Sequence, residues 1–379
     1  MRRTVAIGQS PPGKQGELGV ALLLAMFALA ILGGLAAAAF LVAGQQRLLG
    51  RNMLRQTQAF TVAETAAEEV ALEWSGGWYA DLPVAGQATA SGAGYSGWYR
   101  RTVVRLSPTS FMVKAEGFSP DWTSRQHVGL LLTSQQLPVT IGAAFTTRGP
   151  VALGAGTVID GADSAPGAWT DCPVPGPPLP AVRSPSPEEI SYVGCDSGDC
   201  LRGMPPVLVD PTLAGTPFPI AGDLPFDSLR ALADRRLPGG DLRVEPTTTG
   251  GLCNTADAYN WGDPESPAGP CGRHFPVVWI EGDVVIYGDR GQGVLLVNGN
   301  LTLRGGFSYF GPVLVAGTLE TDGAGGRVVG GVVAANQTLG RSAFLGGGGI
   351  TYSSCAISRV LAQSARVRPL SSRGWVGLY

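Results

Sequence analysis

Acidic side chains near repeated apolar strands come closest to a catalytic or metal-binding set in this sequence. Five of them lie in the C-terminal third: Glu281, Asp283, Asp289, Glu320 and Asp322. Acid–base or metal chemistry on stacked strands requires such groups at the same position of neighbouring turns. The apolar repeat described below has a constant spacing, which is the distance in sequence from Val294 to Val313. The same spacing leads from Asp283 to Thr302, and back from Asp322 to Leu303. The acids therefore form no ladder at this spacing, and we expect no catalytic residue.

Motifs for a nucleophile, a metal or a phosphate are missing or incomplete. The chain has two histidines, His127 and His274, and neither a Gly-x-Ser-x-Gly nor a His-Glu-x-x-His motif. Residues 288–293 (GDRGQG) lack the Lys-Ser/Thr of a phosphate loop, and we interpret them as a turn. Asp160 and Asp163 could join a calcium site, but two acids in a glycine loop more often form a solvated turn. We expect no metal and no cofactor, and a protein that is not an enzyme.

The cysteines are the remaining reactive side chains, and there are six: Cys172, Cys195, Cys200, Cys253, Cys271 and Cys355. An even number in a Pro- and Gly-rich region is typical of disulfides if the membrane segment described below exports the rest of the chain. The spacing favours Cys195–Cys200 and Cys253–Cys271, which leaves Cys172–Cys355, but six cysteines allow 15 connectivities. Zinc is the alternative; it would require Cys-x2-Cys pairs, which the chain lacks.

Composition excludes several classes of protein. The 379 residues include 56 Gly and 29 Pro, only 15% are charged, and the net charge is −2. These values exclude a charge-rich disordered chain, and they disfavour an Arg/Lys-rich nucleic-acid binder. Abundant glycine with low charge and short Val/Leu runs favours a strand-rich fold with many turns.

A long apolar segment near the N-terminus must position everything that follows. Residues 20–44 carry no charge, and as a helix they would span roughly 37 Å, enough to cross a bilayer. The segment is longer than the apolar core of a cleavable signal peptide, which is the alternative. Residues 45–74 lack proline and repeat apolar residues at helical spacing, so we predict one helix over 18–74. Its expected apolar stripe contains Leu48, Leu49, Met53, Phe60, Ala63, Ala67, Val70 and Trp74.

The start of this helix carries a family pattern. A basic leader is followed by Gly-Val-Ala-Leu-Leu-Leu at 19–24, the apolar run, and a polar helix with Gln58, Ala59, Phe60, Ala63 and Glu64. The pattern resembles the N-terminus of PilX-type type IV minor pilins, and it is similar to that of K-type minor pseudopilins. The resemblance implies that prepilin peptidase cuts after Gly19 and leaves Val20 as a methylated terminus. A cut after Gly16 is the less favoured alternative.

The resemblance also implies a location and partners. The precursor would span the bacterial inner membrane once, with its C-terminal region outside the cytoplasm, and would then reach the pilus or cell surface. Its helix would contact other pilins or pseudopilins, and we expect no nucleic-acid partner. Most pilins carry Glu five residues into the mature chain, where this sequence has Leu24. This departure favours a minor or tip subunit that initiates assembly and contacts a surface glycan or protein.

Three alternatives stay open beside this function. The first is a minor pseudopilin of a type II secretion system. The second is a membrane-anchored β-helix enzyme that acts on glycans, and the third is a static envelope scaffold.

Two kinds of β structure follow the helix. Strands are predicted over 98–106, 110–116 and 126–133, after a Gly/Ala/Ser-rich loop at 76–97. A long helix wrapped by such an antiparallel meander resembles the pilin roll. Further on, apolar runs begin at equal spacing at Val294, Val313 and Val332, and 277–286 and 149–161 are similar. Stacking such units buries their apolar faces, which predicts a β-solenoid, with a β-sandwich as the alternative.

The expected fold class is α+β, with a right-handed solenoid-like C-terminal domain. The divisions are a leader (1–19), a transmembrane and amphipathic pilin helix (20–75), the antiparallel sheet (76–140), a first solenoid turn (141–163), an irregular Pro/Cys-rich insertion (164–276), and the solenoid-like domain with its tail (277–379). Trp169, Tyr259 and Trp261 in the insertion are interpreted as a cover for the disulfide core rather than as a sugar site. The apolar tail after Ser371 is expected to dock.

Overall fold

The computed structural model describes residues 17–72, 74, 79, 82–94, 96–214, 226–322, 325–334, 343–345, 348–371 and 374–377. They form a long helix, an antiparallel sheet and a curled parallel sheet, so the protein is α+β. Residues 1–16 of the expected leader lie outside the described residues.

The elements have the following bounds. The helices are α1 (Glu17–Leu72), α2 (Ser197–Cys200) and α3 (Ser354–Gln363), with short 3-10 turns at Pro187–Glu189, Pro211–Ala214 and Phe226–Leu232. The first strands are β1 (Gln87–Gly94), β2 (Gly97–Ser107), β3 (Ser110–Phe118), β4 (Arg125–Gln135), β5 (Phe145–Thr147), β6 (Val151–Gly154), β7 (Val158–Asp160), β8 (Val182–Ser184), β9 (Ile190–Val193), β10 (Leu201–Arg202), β11 (Val207–Val209), β12 (Arg235–Val244), β13 (Thr248–Thr249) and β14 (Leu252–Cys253). The remaining strands are β15 (Val277–Gly288), β16 (Arg290–Gln292), β17 (Val294–Asn298), β18 (Leu301–Arg304), β19 (Ser308–Val315), β20 (Leu319–Asp322), β21 (Arg327–Ala334), β22 (Ala343–Leu345), β23 (Gly349–Tyr352), β24 (Arg366–Pro369) and β25 (Trp375–Gly377).

Helix α1 is a single element of 56 residues, about 84 Å long, and it continues without a break through Gly33 and Gly34. The prediction of one helix from the apolar segment into the polar region is therefore confirmed. The predicted stripe is wrong in part, because Leu48, Leu49, Met53 and Phe60 are exposed. The buried face instead follows the three- and four-residue spacing of Ala59, Val62, Ala63, Ala66, Ala67 and Val70.

The antiparallel sheet has the order β1-β2-β3-β4, and β24 and β25 both pair with β4. Strand β1 lies in the stretch that was expected to be a loop, which is a correction. Its small residues give little strand signal, but β2 pairs with it from Gln87 to Gly94 and supplies the backbone hydrogen bonds. Strand β25 shows that the expected docking of the tail is correct for residues 375–377.

The curled sheet consists of parallel ladders that repeat along the chain. In one ladder Val277 pairs with Val294, Leu295 with Val313, and Val313 with Val332. The expected spacing is thus found for the last of these pairs, whereas the two preceding turns are slightly shorter. Small changes of this kind are absorbed by the corners between strands, so a strict repeat is not required.

The order of the turns in space differs from their order in the chain. Strand β5 pairs with β21, so the turn at 145–160 stacks on the turn at 327–352 and not before residue 277. Strands β8 to β11 continue beyond it, and β12 covers the opposite edge by pairing with β15. Stretches 182–209 and 235–244 are therefore parts of the curled sheet and not of an irregular insertion. Either edge of a parallel ladder accepts another strand, so sequence order does not fix this arrangement.

Three cores hold these parts together. One is enclosed by the curled sheet and includes Trp261, Phe307 and Tyr309, all fully buried. A second lies between the outside of that sheet and α3, and a third between α1 and the antiparallel sheet. The disulfides are Cys172–Cys355, Cys195–Cys200 and Cys253–Cys271, the pairing that the spacing favoured.

Candidate functional site

The N-terminal half of α1 is an apolar stretch of helix that no other part of the described chain buries. Every residue from Val20 to Gly44 is exposed, including large side chains such as Leu23 and Phe40. By length and composition, α1 is the one described helix that is suited to cross a membrane. Exposed apolar surface of this extent is normal only where a membrane or partner proteins cover it.

The predicted processing residues lie at the start of this stretch. Gly19 and Val20 fall in the first turns of α1, which begins at Glu17, and the side chain of Val20 is exposed. Leu24 is exposed one helical turn further on. The geometry leaves cleavage after Gly19 as a prediction.

The C-terminal half of α1 touches the antiparallel sheet backbone to backbone. A Cβ atom at Gly117 of β3 would overlap the carbonyl oxygen of Ala59 and come within 2.6 Å of the Ala63 nitrogen. Both alanines of the sequence signature are fully buried here, so their small size lets helix and sheet approach closely. Gln58 and Glu64 are half-buried, whereas Phe60 is 45% exposed on the other side of the helix.

Two ion pairs connect α1 to the sheet at different heights. Arg101 of β2 is buried, with 6% of its surface exposed, and its Nη1 lies 3.0 Å from Oε2 of Glu69. Nearer the apolar half, Arg55 Nη2 lies 2.7 Å from Oδ2 of Asp121 in the turn after β3. Between Arg55 and Glu69 the helix rises by about 21 Å along its axis. The two ion pairs thereby hold the sheet along the C-terminal half of α1.

Asp121 also organises its own turn. Its Oδ1 accepts hydrogen bonds of 2.7 Å from the hydroxyls of Thr123 and Ser119. These bonds, with Arg55 nearby, lower the pKa of Asp121 to about 2. The carboxylate is therefore charged at neutral pH and fixes the turn beside α1.

Four of the five candidate acids of the curled sheet, Glu281, Asp283, Asp289 and Asp322, make local polar contacts. Glu281 accepts hydrogen bonds from Trp279 Nε1 (2.9 Å) and Asn298 Nδ2 (2.8 Å), which lower its pKa. Asp283 accepts the backbone N–H of Asn300, whose side-chain oxygen accepts that of Thr318. This polar ladder joins three successive turns. It corrects the expected neighbour of Asp283, which is Asn300 and not Thr302, because this turn is shorter than the apolar repeat predicts.

The remaining acids face polar or basic neighbours. Asp322 pairs in register with Arg304, with 3.1 Å between the charged groups, which corrects the expected neighbour Leu303. Asp289 lies 2.8 Å from Arg290, and Glu320 is in register with Thr302. Among the described residues, no group of three or more His, Cys, Asp or Glu is placed to hold a metal ion.

Asp163 has a structural contact that the sequence did not reveal. It accepts hydrogen bonds from the backbone N–H (2.8 Å) and hydroxyl (2.6 Å) of Ser354 and from the Gly176 N–H (2.6 Å). Partial burial acts to raise its pKa, but these hydrogen bonds outweigh burial, and the net pKa is lowered. Asp160 accepts the N–H of Ala162. Asp163 therefore connects its loop to the start of α3, and Asp160 shapes the turn after β7.

The loop at 247–274 closes one end of the curled sheet. Buried Asn260 donates to the carbonyl oxygens of Thr247 and Asn254, and buried Gln292 donates to those of Gly272 and His274. Trp261 fills the end of the enclosed core and is fully buried. Of the other aromatic residues considered as a cover, Trp169 is buried and Tyr259 is partly exposed. Sequence reasoning missed the two amides, because a single Asn or Gln in a Pro/Gly-rich stretch gives no pattern.

Comparison with known proteins finds a similarity to solved structures. No protein-family model matches the chain, and no curated protein sequence matches it. Among solved structures, the chain is similar to the competence-associated pilin ComZ from Thermus thermophilus, at 13% identity over 85% of this chain and 97% of ComZ. The TM-score is 0.23. A TM-score this low does not establish a common fold, so function must be inferred from α1 and its sheets.

Proposed function

We propose that this protein is a non-catalytic pilin-like subunit that takes part in the assembly of a type IV pilus. The observation that carries the proposal is the division of α1 into two halves. Residues 20–44 are apolar and exposed, whereas Ala59 to Val70 pack against an antiparallel sheet. The first half can cross a bilayer and later pack against the apolar helices of other subunits. The second half holds the folded region at a fixed position on the same rigid helix.

The proposal includes processing and a position in the assembly. Prepilin peptidase cuts after Gly19, Val20 becomes the methylated terminus, and the folded region lies outside the inner membrane. These steps rest on the resemblance of residues 19–24 and 58–64 to PilX-type minor pilins. Leu24, in place of the usual Glu, favours a minor or tip subunit. We interpret the curled sheet as a short right-handed β-solenoid, a bulky head suited to a tip and to contact with a surface.

The N-terminus of the natively produced protein tests this function. Intact mass and terminal sequencing should show a chain that begins at methylated Val20. Gly19→Val should block cleavage, whereas Gly16→Val serves as the matched control and should leave cleavage unchanged. A native chain that still begins at Met1 would contradict the proposal.

Fractionation then distinguishes a pilus from a secretion system. Sheared pili from the same cells should contain the cleaved chain in small amounts relative to the main subunit. A cleaved chain that stays with a type II secretion complex and never enters pili would identify a minor pseudopilin instead.

A further inference from the structure

The edge strands at the two ends of the curled sheet differ in their side chains and in what covers them. At one end β12 presents Arg236, Pro238 and Asp241 to solvent, and the loop at 247–274 covers the neighbouring side. Charged residues and proline on an edge strand prevent another strand from pairing there. We call this the guarded end. The opposite end, formed by β9, β10 and β11, is called the open end.

The last turn at the open end is incomplete. Every turn from β15 to β10 has strands on three sides, but after β10 the described chain adds only β11, which pairs with β8. Strand β9 pairs with β6 on one edge, and no strand among the described residues pairs with its other edge. Within the described part of the chain, its outward backbone N–H and C=O groups therefore face no strand and have the geometry to join a further ladder.

The side chains at this edge differ from those at the guarded end. Strand β9 has the sequence Ile-Ser-Tyr-Val, without a charge or a proline, and Tyr192 and Val193 are 38% and 59% exposed. Leu208 and Val209 of β11, at the same end of the sheet, are also exposed. A short apolar strand with one free edge is the geometry that accepts an added strand from another chain.

Acidic residues flank this strand on both sides and identify the kind of strand that fits. Glu188 and Glu189 precede β9, and Asp196 and Asp199 follow it. Among the described strands of this end, β10 carries an exposed basic residue, Arg202. Arg183 of β8 is paired with Asp210. The flanks of β9 therefore attract Lys and Arg and repel a second copy of the same acidic edge.

We propose that β9 binds an extended, Lys/Arg-bearing segment of a partner protein, which adds as a strand and completes the last turn. The guarded edge of a second copy does not fit, because Pro238 lacks an N–H and interrupts the ladder. Seven strand spacings separate β11 from β12, or roughly 34 Å. Asp234, next to β12, contacts Arg366 of the antiparallel-sheet region, so the open end is the one remote from that contact. The inference goes beyond the pilin role and uses only the curled sheet.

Binding of a labelled peptide to the detergent-purified full chain tests this site. The probe is an alternating Lys/Val peptide of about eight residues, which at ~3.3 Å per residue spans β9 and both acidic flanks. Fluorescence anisotropy should show saturable binding that weakens with salt. Val193→Lys should weaken it by roughly tenfold or more, because a lysine at the edge repels the basic strand and blocks pairing. Val174→Lys, at an exposed valine outside the sheet, is the matched control.

Three further measurements make the result decisive. An alternating Glu/Val peptide should not bind, and Glu188→Gln/Glu189→Gln/Asp199→Asn should weaken the Lys/Val peptide while leaving Asp196 as the cap of α2. Hydrogen exchange should slow at Ile190–Val193 when the Lys/Val peptide is bound. Equal binding of both peptides, or equal binding by Val193→Lys and Val174→Lys, would overturn the proposal. So would concentration-dependent dimers that Val193→Lys abolishes, because the occupant would then be a second copy.

Discussion

The antiparallel sheet depends on α1 for its core, whereas the curled sheet encloses most of its own. In the first, Gly117 lets two backbones touch and Arg101 reaches across to Glu69. In the second, apolar residues from successive turns stack inside one closed surface, and disulfides fasten its loops. The contact between helix and sheet is therefore local, and one side chain can disrupt it. The curled sheet should resist single changes and respond most to loss of a long-range link.

The largest expected effect is on the curled sheet. Replacing Cys172 and Cys355 together by Ser removes a link between residues 183 apart in sequence. The chain-entropy estimate for such a loop gives a loss of about 5 kcal/mol in the free energy of unfolding. Denaturant unfolding should show the loss in the signal of the curled sheet. Removal of Cys195–Cys200, which closes a far shorter loop, is the control and should cost clearly less.

The next effect should fall on the helix contact. Gly117→Val places side-chain atoms on the Ala59 carbonyl, so β3 must move away from α1, at a cost of about 3 kcal/mol or more. Thermal unfolding should report early loss of the antiparallel sheet. Gly167→Val, at a position with open space around it, should leave the transition unchanged. Equal effects of the two variants would show that helix and sheet are not in contact at Gly117.

A smaller effect compares the two ion pairs of α1. Arg101→Met removes the buried partner of Glu69 and should cost about 1–2 kcal/mol, because Glu69 remains partly exposed and can be solvated. Arg55→Met removes the partner of Asp121 where both side chains are about 40% exposed, and it should cost clearly less, because solvent screens an exposed ion pair. Chemical denaturation of the two variants measures the difference. A larger loss from Arg55→Met would reverse the order inferred from burial.

The smallest effect is a pH dependence. The pKa of Asp121 is lowered to about 2 in the folded chain, from an ordinary value of 3.8. The stabilisation by its carboxylate is therefore present above about pH 4 and is lost as the pH falls towards 2. The difference in Tm between the native chain and Asp121→Asn should shrink over this range. Thr123→Val removes the hydroxyl that donates to Asp121, so it should weaken the pH dependence of Tm. A difference in Tm between the native chain and Asp121→Asn that stays constant with pH would contradict the prediction.

Sequence reasoning worked best where one pattern decides the structure. The uncharged run at 20–44 and the absence of proline to residue 74 predict α1, because helix formation over this length has no local competitor. The stripe failed at Phe60, because apolar character alone does not show which face of an exposed helix meets the sheet. Strand β1 was missed because its stability comes from pairing with β2 and not from its own residues.

The curled sheet shows which features could not be predicted from the sequence. Its apolar units could be found from Val294, Val313 and Val332, but their stacking order could not. Strand β5 is bound to β21 by contacts between residues far apart in the chain, and an apolar run alone does not show on which edge of the sheet it pairs. The polar contacts of Asp163 and Gln292 were missed for the same reason, since their partners come from distant segments.

The pairing of β24 and β25 with β4 links the first sheet to the order in which the chain is made. Arg366 and Gln135 are partners in this ladder although all strands of the curled sheet lie between them in sequence. During synthesis, β4 leaves the ribosome long before the strands that cover its edge, and the curled sheet is made in between. The antiparallel sheet is therefore completed only after the curled sheet has been synthesised. A chain that stops anywhere in that interval would leave the β4 edge uncovered, so a covered β4 edge reports that the chain has been made through to β25.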